Sequence, residues 1–377
     1  CFGVSGGYER PMWFALDGEK TEYEYSYNYQ NWYPSAEYET NNTVKNVGLF
    51  DLTPFSKFEI KSDKAHKELQ KICTANIKNE VGKCIYTHML NPDGGIETDL
   101  TVVCIDKDHF RIISSAATRE RDKFHIKKYL AKDIELKDVT DDFCVFGVFG
   151  PKSRALMKSI SKDDFENDEF RFGTAKYISI EGIKIWTQRL SYVGELGFEL
   201  YVRSKDAKKI YELLIDKGKD FNLSNCGMHA MDIMRMESGF LHWGHDISPE
   251  ENQYQAGLSF TISSKKEDEF IGKKALEKIK KEKIKSRFAM FTLKDSKPGE
   301  PLLLHDEPIY LENNIIGRST SGNYSFNFKK NLAFGYINND ISNNELHKKD
   351  LFIEVEKKKY PIEIIIKPLK QTNFKNN

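Results

Sequence analysis

The chain has 377 residues with 57 basic and 57 acidic side chains, so its formal net charge is zero. This length exceeds that of one ordinary core and predicts two or three domains. The balanced charge lacks the basic footprint of nucleic-acid or anionic-membrane binding, and no apolar run approaches the roughly 20 residues of a membrane span. We therefore expect small molecules or proteins as partners, with no nucleic acid and no membrane among them.

The cysteines indicate a reducing compartment. They are scattered through apolar segments without a CxxC pair, which favours reduced core thiols over disulfides or zinc ligands. We expect a cytoplasmic protein, or a mitochondrial matrix protein if the source is eukaryotic. The six are Cys1, Cys73, Cys84, Cys104, Cys144 and Cys226.

Residues 1–45 form the first segment, an amino-terminal arm or linker rich in Trp and Tyr. Residues 46–150 follow as a mixed block, in which short strand-like runs alternate with a helical segment around DKAHKELQKICTANI. In residues 151–285, YISIEGIKIWTQRLS predicts a strand pair, and CGMHAMDIMRMESGF predicts a helix that ends at Gly239. We expect the two blocks to pack against each other.

The last part, residues 286–377, is expected to be a separate domain of strands. The lysine-rich KKALEKIKKEKIKSR before it predicts a solvated helix or linker that marks the boundary. Beyond it, short strands at close spacing, such as RFAMFTL and NLAFGYI, predict a small antiparallel barrel or sandwich. The sequence as a whole indicates an α+β protein.

A row of polar residues follows two glycines in GGIETDLTVV, residues 94–103. Alternation along a strand places Glu97, Asp99 and Thr101 on one face and the residues between them on the other. Two interpretations of this row remain open. It is either the exposed side of an edge strand, or a site that presents hydrogen-bond acceptors on an internal strand.

Two further polar groups require an interpretation. In YVGELGFELYV, alternation sets Glu199 and Tyr201 opposite Phe198 and Leu200, which is typical of a site or of a half-exposed strand. HWGHD, at 242–246, crowds its histidines and aspartate beside a helix end. Residues so close together rarely serve one metal geometry, so we expect no metal site.

Common nucleotide-binding and catalytic signatures are absent from the sequence. No GxGxxG follows a strand, and neither GxxxxGKS nor HExxH occurs. A GxSxG nucleophile elbow is also missing. The chain alone therefore gives no support for a dinucleotide, nucleoside-triphosphate, zinc-protease or serine-hydrolase site.

A series of short motifs occurs in a fixed order from about residue 46 to the end. They are VGLFDLTPFSKFEI, MLNPDGGIETDLTV, FGPKSR, YVGELGFELY, QAGLSF, FIGKKAL, GRSTSGNYSF and NLAFGYI. In this order they resemble the aminomethyltransferase family, which includes the folate-binding T-protein of glycine cleavage. The resemblance implies a three-domain cloverleaf around a central tetrahydrofolate channel, with a small carboxy-terminal β-barrel.

The resemblance gives the polar row a role. The family's aspartate that faces the reactive nitrogens of folate matches Asp99, which implies a catalytic carboxylate at that position. A fixed negative charge suits one-carbon transfer because the reaction passes through cationic iminium species. The family's pterin-holding glutamate matches Glu199. The positions implied to bind the cofactor are Thr101, Ile113, Tyr192, Glu199, Tyr86, Arg235, Trp243 and Phe374.

Two positions depart from the T-protein pattern. Met231 stands where the T-protein helix has its first arginine, so that Arg235 retains only the second. Phe374, in QTNF, stands where the family has an aromatic hydroxyl. Met231, together with GGYERPMWFA and with Lys57 in PFSKFEI, instead resembles the folate halves of dimethylglycine and sarcosine dehydrogenases.

The resemblance implies a folate-dependent one-carbon transferase. The expected reaction captures an iminium ion or formaldehyde, released when an N-methylated glycine is oxidised, as 5,10-methylenetetrahydrofolate. Three alternatives stay open. The chain is otherwise a flavin-independent T-protein acting on a lipoyl carrier, a sulfonium demethylase that uses tetrahydrofolate, or a folate-binding protein without catalysis.

FAD is expected only in a missing domain or a partner subunit. The chain starts without Met, in a segment that resembles the junction of flavin and folate halves, and it has no Rossmann fingerprint. We therefore expect a flavoprotein domain or subunit near residues 1–45, whose Trp and Tyr are typical of interface anchors. An arm packed on its own domain is the alternative.

Overall fold

The computed structural model describes residues 1–266, 268–371 and 375. The helices in these residues are α1 (Tyr33–Lys45), α2 (Ala65–Ile72), α3 (Arg119–Tyr129), α4 (Ser153–Ile160), α5 (Ala207–Gly218), α6 (Met228–Glu237), α7 (Lys273–Lys281) and α8 (Asn343–Lys348). The strands are β1 (Phe2–Ser5), β2 (Tyr8–Pro11), β3 (Val47–Asp51), β4 (Ser56–Lys61), β5 (Cys84–Leu90), β6 (Ile96–Asp106), β7 (His109–Ser114), β8 (Leu136–Asp138), β9 (Phe143–Phe149), β10 (Ala175–Ile180), β11 (Ile183–Gln188), β12 (Gly197–Arg203), β13 (Leu223–Cys226), β14 (Ser286–Leu293), β15 (Pro308–Leu311), β16 (Asn314–Ser325), β17 (Lys330–Asn338), β18 (Leu351–Val355) and β19 (Lys358–Ile365).

The first large sheet has the antiparallel strand order β5, β6, β7, β4, β8. Its outer face packs against Leu69 of α2 and Ile126 of α3. Along β6, the buried residues of that face alternate with partly exposed Glu97, Asp99 and Thr101. The predicted two faces of this strand are confirmed, and β6 is internal, which excludes the edge-strand interpretation.

The second large sheet has the order β10, β11, β12, β9, β3, β13, in which only the β3–β13 pair is parallel. Its outer face packs against Leu156 of α4 and Leu214 of α5. Strands β3 and β9 precede residue 150, whereas β10 to β13 follow it. This sheet therefore draws on both of the blocks expected at residues 46–150 and 151–285, and the domain boundaries stay a prediction.

The inner faces of the two large sheets meet across one apolar cluster. It combines Cys84 and Val103 of the first sheet with Val145, Trp186 and Tyr201 of the second. Side chains two residues apart on a strand share a face. Thr101 lies two residues before Val103 on β6, and Glu199 lies two residues before Tyr201 on β12. Both side chains therefore project into the space between the sheets.

Residues 1–45 pack on the rest of the chain. Trp13 is 1% exposed, and Glu39 of α1 accepts hydrogen bonds from the backbone N–H groups of Phe14 and Gly227, at 2.6 and 2.8 Å. Burial raises the pKa of the Glu39 carboxyl to about 8. The arm therefore packs on both α6 and the barrel, and a flavoprotein docked near it stays a prediction. The apolar cluster beneath the arm contains Trp13, Trp32, Tyr33, Ala36, Ile233, Tyr324 and Phe326.

The carboxy-terminal strands close a six-stranded barrel in the order β14, β17, β16, β15, β18, β19, with β19 paired back on β14. This confirms the predicted barrel and excludes the sandwich. Helix α6 is tied to the barrel because Asn323 donates to Asp232 at 2.9 Å and Ser325 donates to Glu237 at 2.6 Å. In α7 only Leu276 is buried, so the lysine-rich segment is a solvated helix as predicted.

All six cysteines are free thiols, and four of them are buried. The reducing compartment expected from their scattered positions stays a prediction. In the part of the chain that the structure covers, no helix is both long and apolar enough to cross a membrane.

Candidate active site between the two sheets

The strand that carries Asp99 starts at a tightly constrained turn. Gly94 has a φ of +89°, a conformation that side chains other than glycine rarely adopt. A Cβ atom on Gly95 would lie 1.8 Å from the carbonyl oxygen of Pro249. The backbone N–H of Ile96 then donates to the carbonyl of Glu251 at 2.9 Å. The two glycines thus allow the turn to press against this loop, which fixes where β6 begins.

Strand register brings four of the predicted residues onto one face of the first sheet. Thr101 of β6 lies opposite Tyr86 of β5 on one side and Ile113 of β7 on the other. Asp99 lies two residues before Thr101 and opposite His88. Because directly opposed residues point to the same face, all five side chains face the second sheet.

Asp99 is a carboxyl group without a complete set of partners. Its side chain is 20% exposed, yet its buried Oδ1 atom accepts no hydrogen bond from any residue that the structure describes. Burial raises the pKa of Asp99 to about 7, the charge of Asp122 acts in the same direction, and a hydrogen bond from Tyr86 opposes the rise. Asp99 can therefore take up or release a proton near neutral pH.

His88 lies directly behind Asp99 and is fully buried. Its Nδ1 atom is 3.0 Å from the Thr261 hydroxyl, and its Nε2 atom is 3.3 Å from the Tyr86 hydroxyl and 3.6 Å from Oδ1 of Asp99. Burial lowers the pKa of His88 to about 3, so the ring is neutral. The sequence interpretation missed His88. Its only signal was the two-residue spacing from Tyr86, which has meaning only once β5 is known to pair with β6.

Glu199 projects from β12 of the second sheet into the same space. The Tyr201 hydroxyl donates to its Oε2 atom at 3.2 Å, as their predicted common face allows. Burial raises the pKa of Glu199 to about 7, and the bond from Tyr201 only partly offsets this. The pKa of the Cys84 thiol on β5 is raised by burial and then by Glu199. Tyr201, which donates to Glu199, packs in one apolar cluster with Cys84 of the facing sheet.

Tyr192 lines the space from the segment before β12. Its hydroxyl donates to the carbonyl of Leu241 at 3.0 Å, and its ring lies nearly parallel to Phe240, with 6.0 Å between centroids. Burial raises the pKa of this phenol, the guanidinium of Arg235 opposes the rise, and the charges of Asp232 and Asp99 add to it. Tyr192 and Ile113 thus pack against the same apolar cluster between the sheets, and folate binding by Tyr192 stays a prediction.

Arg235 is placed differently from the other predicted residues. It is 2% exposed and donates hydrogen bonds to Asp232 at 2.8 Å, to Asp246 at 2.5 Å and to Ser321 at 2.8 Å. These contacts join α6 to the barrel and to the loop after the helix. They favour a role in which Arg235 holds the Asp232 carboxylate in place and does not itself contact the cofactor. Direct cofactor binding by Arg235 stays a prediction.

Trp243 lies at the edge of the site. Its indole N–H donates to the carbonyl of Ile96 at 3.1 Å, and the guanidinium of Arg121 lies 4.7 Å above its ring. Arg121 also pairs with Glu97 at 2.6 Å, so the first polar residue of the β6 row is already bonded. Phe374, the remaining predicted cofactor residue, lies outside the described residues.

The histidines of HWGHD form no metal cluster with their aspartate. The rings of His242 and His245 lie 4.7 Å apart, but Asp246 accepts hydrogen bonds from Arg235 and Thr320 instead. Within residues 1–266, 268–371 and 375, no group of three or more His, Cys, Asp or Glu side chains is arranged to hold a metal ion.

Two facing sheets with an acidic residue on each inner face, followed by a closed barrel, correspond to a recognised protein class. Residues 1–266 match the GCVT N-terminal domain, and residues 287–370 match the glycine cleavage T-protein C-terminal barrel domain. The chain belongs to the glycine cleavage T-protein, or aminomethyltransferase, family. The resemblance drawn from the motifs is confirmed, and this family binds tetrahydrofolate.

Relatives of two kinds are similar to the chain. Mitochondrial dimethylglycine dehydrogenase of Rattus norvegicus is 33% identical over 371 residues, which cover 97% of this chain but 42% of that protein. Aminomethyltransferase of Alkaliphilus metalliredigens is 30% identical over 332 residues, 88% of each chain. The chain therefore spans less than half the length of the dehydrogenase.

A solved structure confirms the fold. The crystal structure of glycine cleavage system aminomethyltransferase T from Bartonella henselae has a TM-score of 0.83 with this chain. The match covers 98% of this chain and 94% of the other at 20% sequence identity. The expected aminomethyltransferase fold, α+β with a small carboxy-terminal β-barrel, is confirmed.

Proposed function

We propose that this chain transfers a one-carbon unit to tetrahydrofolate. In the proposed reaction an iminium ion or formaldehyde, derived from oxidation of an N-methylated amine, is captured as 5,10-methylenetetrahydrofolate. The observation that carries the proposal is Asp99, whose Oδ1 atom lacks a hydrogen-bond partner in the described chain and whose pKa is raised to about 7. A carboxyl group with this pKa can both donate and accept a proton near neutral pH.

The residues around Asp99 fit a folate. Glu199 presents a carboxylate, which can accept two hydrogen bonds from the N–H groups of an aminopyrimidine edge. Tyr192 and Ile113 pack against the apolar cluster between the sheets and supply flat and aliphatic surfaces for a pterin ring. Glu199 and Asp99 project from facing sheets, which suits a ligand held at its pterin end with its reactive nitrogens beside Asp99.

The proposed chemistry needs proton transfers that Asp99 can perform. When tetrahydrofolate condenses with formaldehyde, the two N–H groups of folate each lose a proton and the carbonyl oxygen leaves as water. When an iminium ion is the donor, the amine leaves instead. In this proposal Asp99 accepts a proton from a folate nitrogen and returns it to the leaving group, and its ionised form stabilises the cationic stage.

The oxidation that produces the iminium ion is assigned to FAD in another domain or subunit. The identity of 33% with dimethylglycine dehydrogenase supports this division of labour. We place the protein in the cytoplasm, or in the mitochondrial matrix of a eukaryote, because six free thiols suit a reducing compartment.

A T-protein activity is the second candidate, favoured by the 88% coverage of both chains in the match to the Alkaliphilus aminomethyltransferase. Met231 argues against it, since it replaces an arginine of the T-protein helix and is 4% exposed. A sulfonium demethylase and a folate-binding protein without catalysis are less well supported, since neither accounts as directly for the relatives and for Asp99.

The experiment compares donors with one preparation of protein and tetrahydrofolate. Methylenetetrahydrofolate is measured with dilute formaldehyde, and the rate without protein is subtracted because the two compounds also condense spontaneously. Parallel reactions contain a lipoyl-bound aminomethyl carrier or a sulfonium compound. Acceleration with formaldehyde alone supports the proposal, acceleration only with another donor supports that alternative, and folate binding without acceleration indicates a binding protein.

A further inference from the structure

We propose that His88 is a positioning residue that holds the proton of Asp99 on its buried Oδ1 atom, using an Nε2 lone pair whose direction is set by Thr261. This inference deepens the proposed function and rests on it. Nε2 of His88 lies 3.6 Å from Oδ1 of Asp99, and this oxygen has no hydrogen-bond partner among the residues described.

Thr261 determines which ring nitrogen of His88 carries the hydrogen. A threonine hydroxyl has a single proton, and that of Thr261 is donated to the carbonyl of Leu258 at 2.7 Å. The hydroxyl oxygen is then an acceptor for His88 Nδ1, which lies 3.0 Å away. Nδ1 therefore carries the hydrogen, and Nε2 is left with a lone pair.

The Nε2 lone pair faces two oxygen atoms. One is the oxygen of the Tyr86 hydroxyl at 3.3 Å, whose single proton is directed to Asp99, and the other is Oδ1 of Asp99 at 3.6 Å. An ionised Oδ1 and a lone pair are both acceptors and repel each other. A proton on Oδ1 converts them into a donor and an acceptor, so His88 favours the protonated form of Asp99 on that side.

His88 cannot relieve this conflict by taking the proton itself. The ring is fully buried, and burial lowers its pKa to about 3. The other titratable groups around Asp99 are Tyr86 on β5, Tyr192 before β12 and Asp122 on α3. None of these groups is a cation that would hold Asp99 ionised, so no positive charge among them opposes a proton on Oδ1 beside the Nε2 lone pair.

Two variants and one control test the proposal. Thr261→Val removes the acceptor for Nδ1, which frees His88 to present an Nε2–H group to Asp99. His88→Gln offers an amide N–H to the same oxygen. His229→Gln is the matched control, because His229 is half-buried, has a pKa lowered by burial to about 4, and stacks on Trp32 of the arm at a centroid distance of 3.7 Å.

The first readout does not depend on activity. Infrared titration follows the carboxyl C=O stretch that disappears in Asp99→Asn, and nitrogen-15 NMR identifies the protonated ring nitrogen of His88. We expect Nδ1–H in the wild type, and a midpoint of Asp99 that falls by about one pH unit in His88→Gln and in Thr261→Val, as expected when a donor replaces an acceptor beside a carboxylate. His229→Gln should leave the midpoint unchanged.

The second readout is the pH profile of kcat. The apparent pKa that Asp99 contributes to this profile should shift in each variant by the same amount as the Asp99 midpoint measured by infrared titration. A wild-type His88 protonated at Nε2, or unchanged midpoints in both folded variants, would overturn the proposal. If the wild type produces no methylenetetrahydrofolate, the proposed function fails while the infrared and NMR titrations still decide the role of His88. The two failures are therefore distinguishable.

Discussion

Replacing Asp99 by Asn tests the proposed acid–base residue at nearly constant volume. The amide cannot ionise or shuttle a proton, so formation of methylenetetrahydrofolate should slow on the order of 10²-fold, equivalent to about 2.7 kcal/mol of transition-state stabilisation. Folate affinity should stay within a few-fold of the wild type, because Glu199 and Tyr192 are untouched. Stopped-flow assays give the rate, and calorimetry gives the affinity.

The same variant makes a prediction about stability. Burial raises the pKa of Asp99 from 3.8 to about 7, so the folded protein loses stability as pH rises through this interval and the buried carboxyl must ionise. The loss is at most about 4 kcal/mol. Asp99→Asn should therefore resist denaturant better than the wild type at pH 8 and show no such advantage near pH 4.

Asp122→Asn is the control for the rate measurement. Asp122 is likewise buried, but it accepts hydrogen bonds from Thr98 and Thr118 on the far side of β6, at 3.2 and 2.6 Å. Its replacement should change the rate by less than about threefold, since it cannot reach the substrate. A wild-type rate in Asp99→Asn, or equal losses in the two variants, would refute the assignment of Asp99.

Three further predictions follow from the site and its surroundings. Glu199→Ala should weaken tetrahydrofolate binding by roughly 1.5 to 3 kcal/mol with little effect on folding, and wild-type affinity in a calorimetric titration would refute its role at the pterin. Arg235→Met should destabilise the fold by about 3 kcal/mol or more, because Asp246 keeps its buried charge without its cation; urea unfolding that shows a loss below about 1 kcal/mol would contradict this. The purified chain should be colourless and should not oxidise dimethylglycine or sarcosine with any electron acceptor, and a flavin absorption spectrum would disprove the assignment of FAD to another domain or subunit.

The parts of the fold that local alternation dictates were predictable. The two faces of β6 follow from the spacing of Glu97, Asp99 and Thr101, and the barrel follows from short strands separated by turns. The pairing of β9 with β12 and of β3 with β13 was not predictable, because even the nearest paired residues, Phe149 and Gly197, are 48 positions apart. Helix α1 was also missed, since YPSAEYETNNTVK has no clear apolar stripe even though Ala36 and Glu39 are fully buried.

The candidate site shows the same limit. Asp99 and Glu199 could be singled out because each lies in a recognisable motif, and strand register brings Tyr86 and Ile113 beside Asp99. The contacts of Arg235 with Asp246 and Ser321 could not be predicted from its motif, because these partners lie 11 and 86 residues away. His88 was invisible for a similar reason, since Thr261, which orients it, is 173 residues distant.

The most direct test of the central claim is a crystal structure of the protein with a stable reduced folate such as 5-formyltetrahydrofolate. We expect the ligand between the two large sheets, with its pterin edge on Glu199 and its N5–N10 side facing Asp99. A cavity of about 730 Å³ lies elsewhere, between the arm and the barrel, where Tyr27, His305 and Tyr360 line it. Folate bound there, or folate in the inter-sheet space with its reactive nitrogens turned away from Asp99, would contradict the account.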